Sequence, residues 1–309
     1  MKRSLRVALA VPLALAAFVP SAAAVSGPTV VLGGPEDQST PSVNATYLIW
    51  TQDSTAHPGR DHAYGRTPVL AATGRFRMDA TGSRGIAGGI DPDRDRAIYQ
   101  QITGPESDLY WFDLVARTRR KLRSAVNTGR WERDPRVSHT FVLFARDTPD
   151  AVSLFLWTRG TQTVDKIASY GVATSSVFPG SVGDRYATWT RCTPVLCSVS
   201  VHDTDTDTTT TFPTRNGRSQ YAPVLDEATG MLYFVRSGPE CGSSVGIWRR
   251  ALDLSGGGVR LAALPAGIDT GWTLSLDDDV AKGRLDLWFS RFRCGSHQGD
   301  LAELRGVGV

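Results

Sequence analysis

Cysteine and methionine are scarce in this chain, with four and three in 309 residues. The cysteines, at 192, 197, 241 and 294, show no Cys-x-x-Cys spacing and no paired histidine beside them, so a metal centre built on thiolates lacks its ligand set. Helical apolar periods of useful length are missing after the first twenty or so residues. Like charge never gathers in a block longer than the basic run from Arg117 to Arg123, and nucleic acid or an anionic membrane therefore lacks its electrostatic footprint. Apolar runs long enough to span a bilayer, about 20 residues, are also lacking.

What stands at the amino terminus is an export signature. Lys2, Arg3 and Arg6 supply the positive region, Val7 to Val19 the apolar region interrupted by Pro12, and Ala22-Ala23-Ala24 a small-residue cleavage site. Residues 1–24 are expected to be a signal peptide and residues 25–309 a single domain. The whole chain carries 34 Lys and Arg against 31 Asp and Glu. The leader removes three basic residues and no acidic ones, which leaves a balanced mature chain of 31 against 31. A secreted or envelope-associated protein with no transmembrane segment after cleavage is the expectation.

The mature chain repeats. Trp131 to Ala168 contains short apolar runs at Phe141–Phe144 and Leu154–Trp157, with turns at Asp147-Thr148-Pro149-Asp150 and Arg159-Gly160, and then an alternating Val164 to Ile167. That is a four-stranded meander whose two faces both need cover. An aromatic-x-Arg/Gln triplet marks the second strand of each copy: Trp50 to Gln52, Tyr99 to Gln101, Phe144 to Arg146, Trp189 to Arg191, Phe234 to Arg236 and Phe289 to Arg291. The aromatics are separated by 49, 45, 45, 45 and 55 residues, the period of propeller blades. Six triplets predict an all-β, six-bladed β-propeller of four-stranded antiparallel blades. Inner strands are expected at Pro41–Val43, Ile86–Ile90, Asp134–Val137, Val177–Val182, Ala222–Leu225 and Trp272–Leu276. The last unit offers only three strands, and Thr29 to Leu32 is expected to supply its fourth and close the ring.

Through DPRVSHTFVLFARD, DPDRDRAIYQQI and the strand Leu109 to Leu114, the mature chain resembles the TolB-like propellers, relatives of the WD-repeat proteins. The resemblance implies a fold more than an activity. TolB itself adds an amino-terminal domain for its envelope partners, and prolyl-oligopeptidase-like relatives add a hydrolase domain. Neither is expected here.

Candidate functional residues are few. In an exported chain the cysteines are expected to pair, Cys192 with Cys197 across a hairpin and Cys241 with Cys294 between equivalent Cys-Gly-Ser loops of adjacent blades. A long loop from Asp53 to His62 in the first blade carries His57, Arg60, Asp61 and His62, and His297 lies in the matching loop of the last blade. These five form the expected binding rim, on the side of the hairpins between second and third strands. Gln52, Gln101, Arg146, Arg191, Arg236 and Arg291 recur by blade and are expected to bind loop carbonyls between blades. Asp203, Asp205 and Asp207 alternate like a calcium loop but lack its glycine and its twelfth-position Glu, so a polar hairpin is expected. Asp277-Asp278-Asp279 is expected to be a solvated turn. Gly242 to Gly246 fits G-x-S-x-G, but within a β-hairpin loop rather than a strand-to-helix turn.

These features predict a monomeric binding module for a protein, peptide or polysaccharide, with no cofactor, metal or catalytic set. The alternatives are a hydrolase or lyase working at the channel mouth and a structural envelope protein.

Overall fold

The computed structural model describes residues 27–33, 36–54, 57–67, 74–214, 217–253, 257–279, 284–296 and 298–308, and the regular elements among them are all β-strands. They pair in sequence order into meanders. The first comprises β2 (Asp37–Val43), β3 (Leu48–Ser54), β4 (His57–Arg66) and β5 (Phe76–Arg77). A second comprises β14 (Ser176–Val182), β15 (Tyr186–Cys192), β16 (Cys197–Asp203) and β17 (Thr208–Thr211), and a third comprises β18 (Ser219–Asp226), β19 (Met231–Ser237), β20 (Gly246–Ala251) and β21 (Val259–Ala263).

Between these lies one eight-stranded sheet. It contains β6 (Arg84–Ile90), β7 (Arg96–Thr103), β8 (Glu106–Asp113) and β9 (Arg119–Lys121), followed by β10 (Trp131–Val137), β11 (Phe141–Asp147), β12 (Ala151–Thr158) and β13 (Val164–Gly171). The expectation of separate four-stranded sheets fails there. β8 pairs with β9 over Tyr110–Phe112 but also makes one parallel pair with β10, Trp131 opposite Ser107, which fuses two meanders into one sheet.

The last sheet runs β1 (Thr29–Leu32), β24 (Gly299–Gly308), β23 (Arg284–Arg293) and β22 (Ile268–Asp279). Thr29 lies opposite Glu303 and Val30 opposite Ala302, antiparallel, so the edge of β24 is covered by a strand from the other end of the chain. The arrangement is a β-propeller in which each second strand is buried on both faces. Trp50, Tyr99, Phe144, Trp189, Phe234 and Phe289 are all fully buried. Each packs against the meander before its own: Phe144 with Ile98 and Leu109, Trp189 with Ala145 and Leu154, Phe234 with Val199 and Phe212, and Trp50 with Trp288 and Leu301. The core therefore lies between meanders, because a single one cannot bury its own aromatic row.

Several boundaries differ from expectation, those at the inner strands because the register breaks there. Every inner strand carries an irregularity in its register, at 39–42, 87–89, 133–136, 179–182, 221–224 and 270–274. Asp134-Pro135 thus interrupts β10 rather than opening it. Asp277 to Asp279 lies inside β22, and Asp277 is buried, so the solvated turn expected there is absent. The long loop expected from Asp53 to His62 is mostly strand, since β4 begins at His57 and pairs with β3 from Ser54 back to Leu48.

Candidate functional site

The histidine-rich stretch of the first sheet is tied into the fold. Asp61 accepts from Arg84 Nη2 at 2.6 Å, and His62 Nδ1 lies 3.0 Å from Asp79, whose side chain is buried and also takes Arg77 Nε at 2.9 Å. Arg60 is exposed, and its backbone N–H donates to Asp53 at 3.1 Å. Arg60 and His62 do come together, bordering with Arg77 and Arg84 a cleft of about 490 Å³ on the hairpin face. His297 and the side chain of His57 lie outside the described residues.

The blade-repeat polar residues hold down the segments that lead into their own sheets. Gln101 Oε1 accepts from the N–H of Ala80, Arg146 Nη2 donates to the carbonyl of Val126 at 2.9 Å, and Arg191 Nε donates to Ser175 at 3.0 Å. Arg146 also pairs with the buried Glu132 at 2.9 Å and lies over the Phe155 ring. Arg236 lies over Trp248, 4.3 Å from the ring centre, while Gln52 accepts from Trp50 Nε1 and Arg75. Arg291 is half-buried in β23.

Disulfides join Cys192 to Cys197 and Cys241 to Cys294. Among the described residues the three metal-capable side chains that cluster are Cys241, Asp269 and Cys294, but the two sulfurs are bonded to each other. At the aspartate-rich turn Arg185 reaches Asp203 at 2.7 Å and Asp205 at 3.3 Å. The hydrogen bonds from Arg185 hold the Asp203 carboxyl down at about 2, so a cation of the chain already offsets part of this turn's negative charge.

The axis holds what the repeat analysis overlooked. At the register irregularities stand Pro41, Gly88, Pro135, Gly180, Pro223 and Gly271, alternately Pro and Gly, at spacings of 47, 47, 45, 43 and 48. Thr40, Asp134 and Ala222, each before a proline, have φ near +50°. A Cβ on Gly88 would lie 2.6 Å from the Pro135 carbonyl oxygen, and one on Gly180 would lie 2.6 Å from that of Pro223, so each glycine admits the proline turn of the next meander. That alternation was visible in the sequence as a second period, in phase with the aromatic triplets.

Arg136 sits at this level, buried on the axis. Its Nε donates to the Gly180 carbonyl at 2.9 Å, its Nη1 to the carbonyls of Pro135 at 2.9 Å and Gly88 at 3.3 Å, and its Nη2 to Thr273 Oγ1 at 3.2 Å. Burial pushes its pKa down. One side chain thus links inner strands β6, β10, β14 and β22. Beyond it opens a cavity of about 650 Å³, lined by the later halves of the inner strands. Asn44, Pro92, His139, Asp184 and Glu227 form its rim. These residues lie in the turns between first and second strands, so the axial cavity opens on the face opposite the hairpins, where its mouth was expected.

On the hairpin face the axis carries an aromatic group instead. Trp272 stacks on Phe178 with ring centres 4.8 Å apart and leans on Tyr221 at 5.1 Å, while Arg133 approaches the Phe178 ring. Tyr221 Oη donates to Asp269 at 2.5 Å, and burial raises its pKa. Trp272 remains 47% exposed.

A TolB from Acinetobacter baumannii superposes with a TM-score of 0.56 at 10% identity, over 85% of this chain and 64% of that one. The fold is a TolB-like β-propeller. A protein described as TolB from Agrobacterium tumefaciens matches with a TM-score of 0.58 at 13% identity, over 76% and 84% of the two chains. An oligogalacturonate lyase solved with manganese matches with a TM-score of 0.53 at 10% identity, over 89% and 90%. At these identities the likeness is one of fold, shared by binding proteins and enzymes alike. No family model and no curated protein matches the sequence.

Proposed function

We propose that residues 25–309 form one exported propeller of six blades, the eight-stranded sheet counting as two, and that it binds a protein or peptide partner without turning it over. The observation that carries this reading is Trp272. A large aromatic left half-exposed at the centre of a rigid face, backed by Phe178 and Tyr221, has the form of an interface anchor, for burying it against a partner stabilises the complex without ordering cost. Two disulfides stiffen the hairpins beside it, and Cys197, Cys241 and Phe292 share a small pocket with Trp272. The cleft of Arg60 and His62, with Asp61 and by sequence His57 and His297, is a polar flank of the same face. TolB neighbours support a protein partner by analogy of fold. A monomer released outside the cytoplasm fits the leader and the disulfides.

The test is cross-linked capture from the envelope and supernatant of the host, comparing the mature protein with Trp272→Ala. Loss of capture by about tenfold, with melting nearly unchanged, is the expected result. Equal capture by both forms would reject the Trp272 face. Hydrolysis or elimination on a glycoside, uronide and ester panel, abolished by changes at either axial mouth, would favour the enzyme reading.

A further inference from the structure

The axial cavity holds a cation to which no carboxylate among the described residues is hydrogen-bonded. The four hydrogen bonds from Arg136 described above go to three carbonyls and a hydroxyl. Asp134, the nearest acid in sequence, gives its Oδ2 to Arg133 at 2.5 Å. One N–H of Nη2 has no partner among the described residues, and Arg136 is among the residues that line the cavity. A buried charge hydrogen-bonded only to dipoles is costly, with the Asp134 carboxylate acting on it only at a distance, and an anion in the cavity would relieve it.

The wall favours the same chemistry. Ser42 Oγ accepts the N–H of Ile90 at 3.1 Å and Ser275 Oγ accepts the N–H of Val43 at 3.2 Å, each across a sheet boundary. With those lone pairs engaged, each hydroxyl hydrogen is left to donate. The acids lie at the rim and are themselves held by backbone. Asp184 accepts from the N–H of Thr140 at 3.1 Å, and Glu227 accepts from the N–H groups of Asp184, Arg185 and Tyr186 at 2.8, 3.1 and 2.7 Å. His139, also at the rim, is engaged with Asp93.

We propose that this cavity is a carboxylate site, with the ligand's carboxylate on Arg136 and the Ser42 and Ser275 hydroxyls donating to its polar atoms. A volume of about 650 Å³ suits a small acid or the last residues of a peptide. The site lies on the opposite face from Trp272 and does not depend on that reading.

Calorimetric titration of the full mature protein with acetate, with trialanine and with trialanine amide tests it. The acids bind, and the amide binds at least about tenfold more weakly, the scale of a lost charged hydrogen bond. Trialanine binding more tightly than acetate would assign a peptide terminus, and equal affinity would assign a free small acid. Arg136→Met abolishes binding. Because that change also removes four hydrogen bonds from the ring, the double variant Ser42→Ala with Ser275→Ala carries the test with Arg136 in place, and it weakens binding at least about threefold. Trp272→Ala leaves binding unchanged. Failure of both acids to bind at about 10 mM, equal affinity for acid and amide, or full affinity in the serine double variant would overturn the proposal.

Discussion

Gly180 shows how much can depend on a missing methyl group. Its absent Cβ would fall 2.5 Å from the Pro223 ring and 2.6 Å from the Pro223 carbonyl oxygen, and neither neighbour is the free end of a flexible chain. Gly180→Ala is therefore expected to destabilise by about 2–3 kcal/mol, as overpacking does, while Gly160→Ala, with nothing within 4 Å, stays within about 0.5 kcal/mol. Urea denaturation of the two variants checks the contrast. Residues of this kind were legible only in part. The triplet aromatics declared themselves by period, because a buried face forces regular spacing on apolar side chains. Arg136 gave no such signal, since an arginine beside a proline in a polar stretch reads as surface until the fold turns it onto the axis. Asp61 and His62 read as a free rim because their partners, Arg84 and Asp79, stand 23 and 17 residues away.

At the scale of single strands, the sequence located the centres and missed the beginnings of the inner ones. β2, β10, β18 and β22 all start three to four residues before the expected strand. The Pro or Gly at each irregularity hid the first half, because a bulge breaks the two-residue alternation by which a strand is recognised. β1 was legible because the last sheet lacked a fourth strand. Val31 and Leu32 pack, partly buried, beside Trp50, Trp288 and Leu301. Deleting Thr29–Leu32 removes that cover and bares the edge of β24, at an expected cost of about 3 kcal/mol. A deletion variant with an unchanged denaturation midpoint would contradict the assigned role.

For the molecule as a whole, the two disulfides constrain loops of very different size. Cys192 and Cys197 are 5 residues apart, within one hairpin, whereas Cys241 and Cys294 are 53 apart and join two sheets. Restriction of the unfolded chain grows with the loop closed, so Cys241→Ala with Cys294→Ala should cost about 4 kcal/mol, against about 2 kcal/mol for Cys192→Ala with Cys197→Ala. Thermal melting of the two double variants tests the order. The repeat period displayed this scale of organisation well. It could not display the fusion of two meanders into one sheet, which rests on the single pair Trp131 and Ser107.

The pairing of β1 with β24 also sets an order in time. Thr29 leaves the ribosome some 270 residues before Glu303, so until β24 has been made and delivered Val31 and Leu32 have no partner strand. Every intermediate on the way presents an open sheet edge. If the chain is exported, as proposed above, that delay is useful: what would lock the ring of sheets is withheld until translation and transport are both complete, and the polypeptide remains extensible for as long as it must pass through a narrow pore.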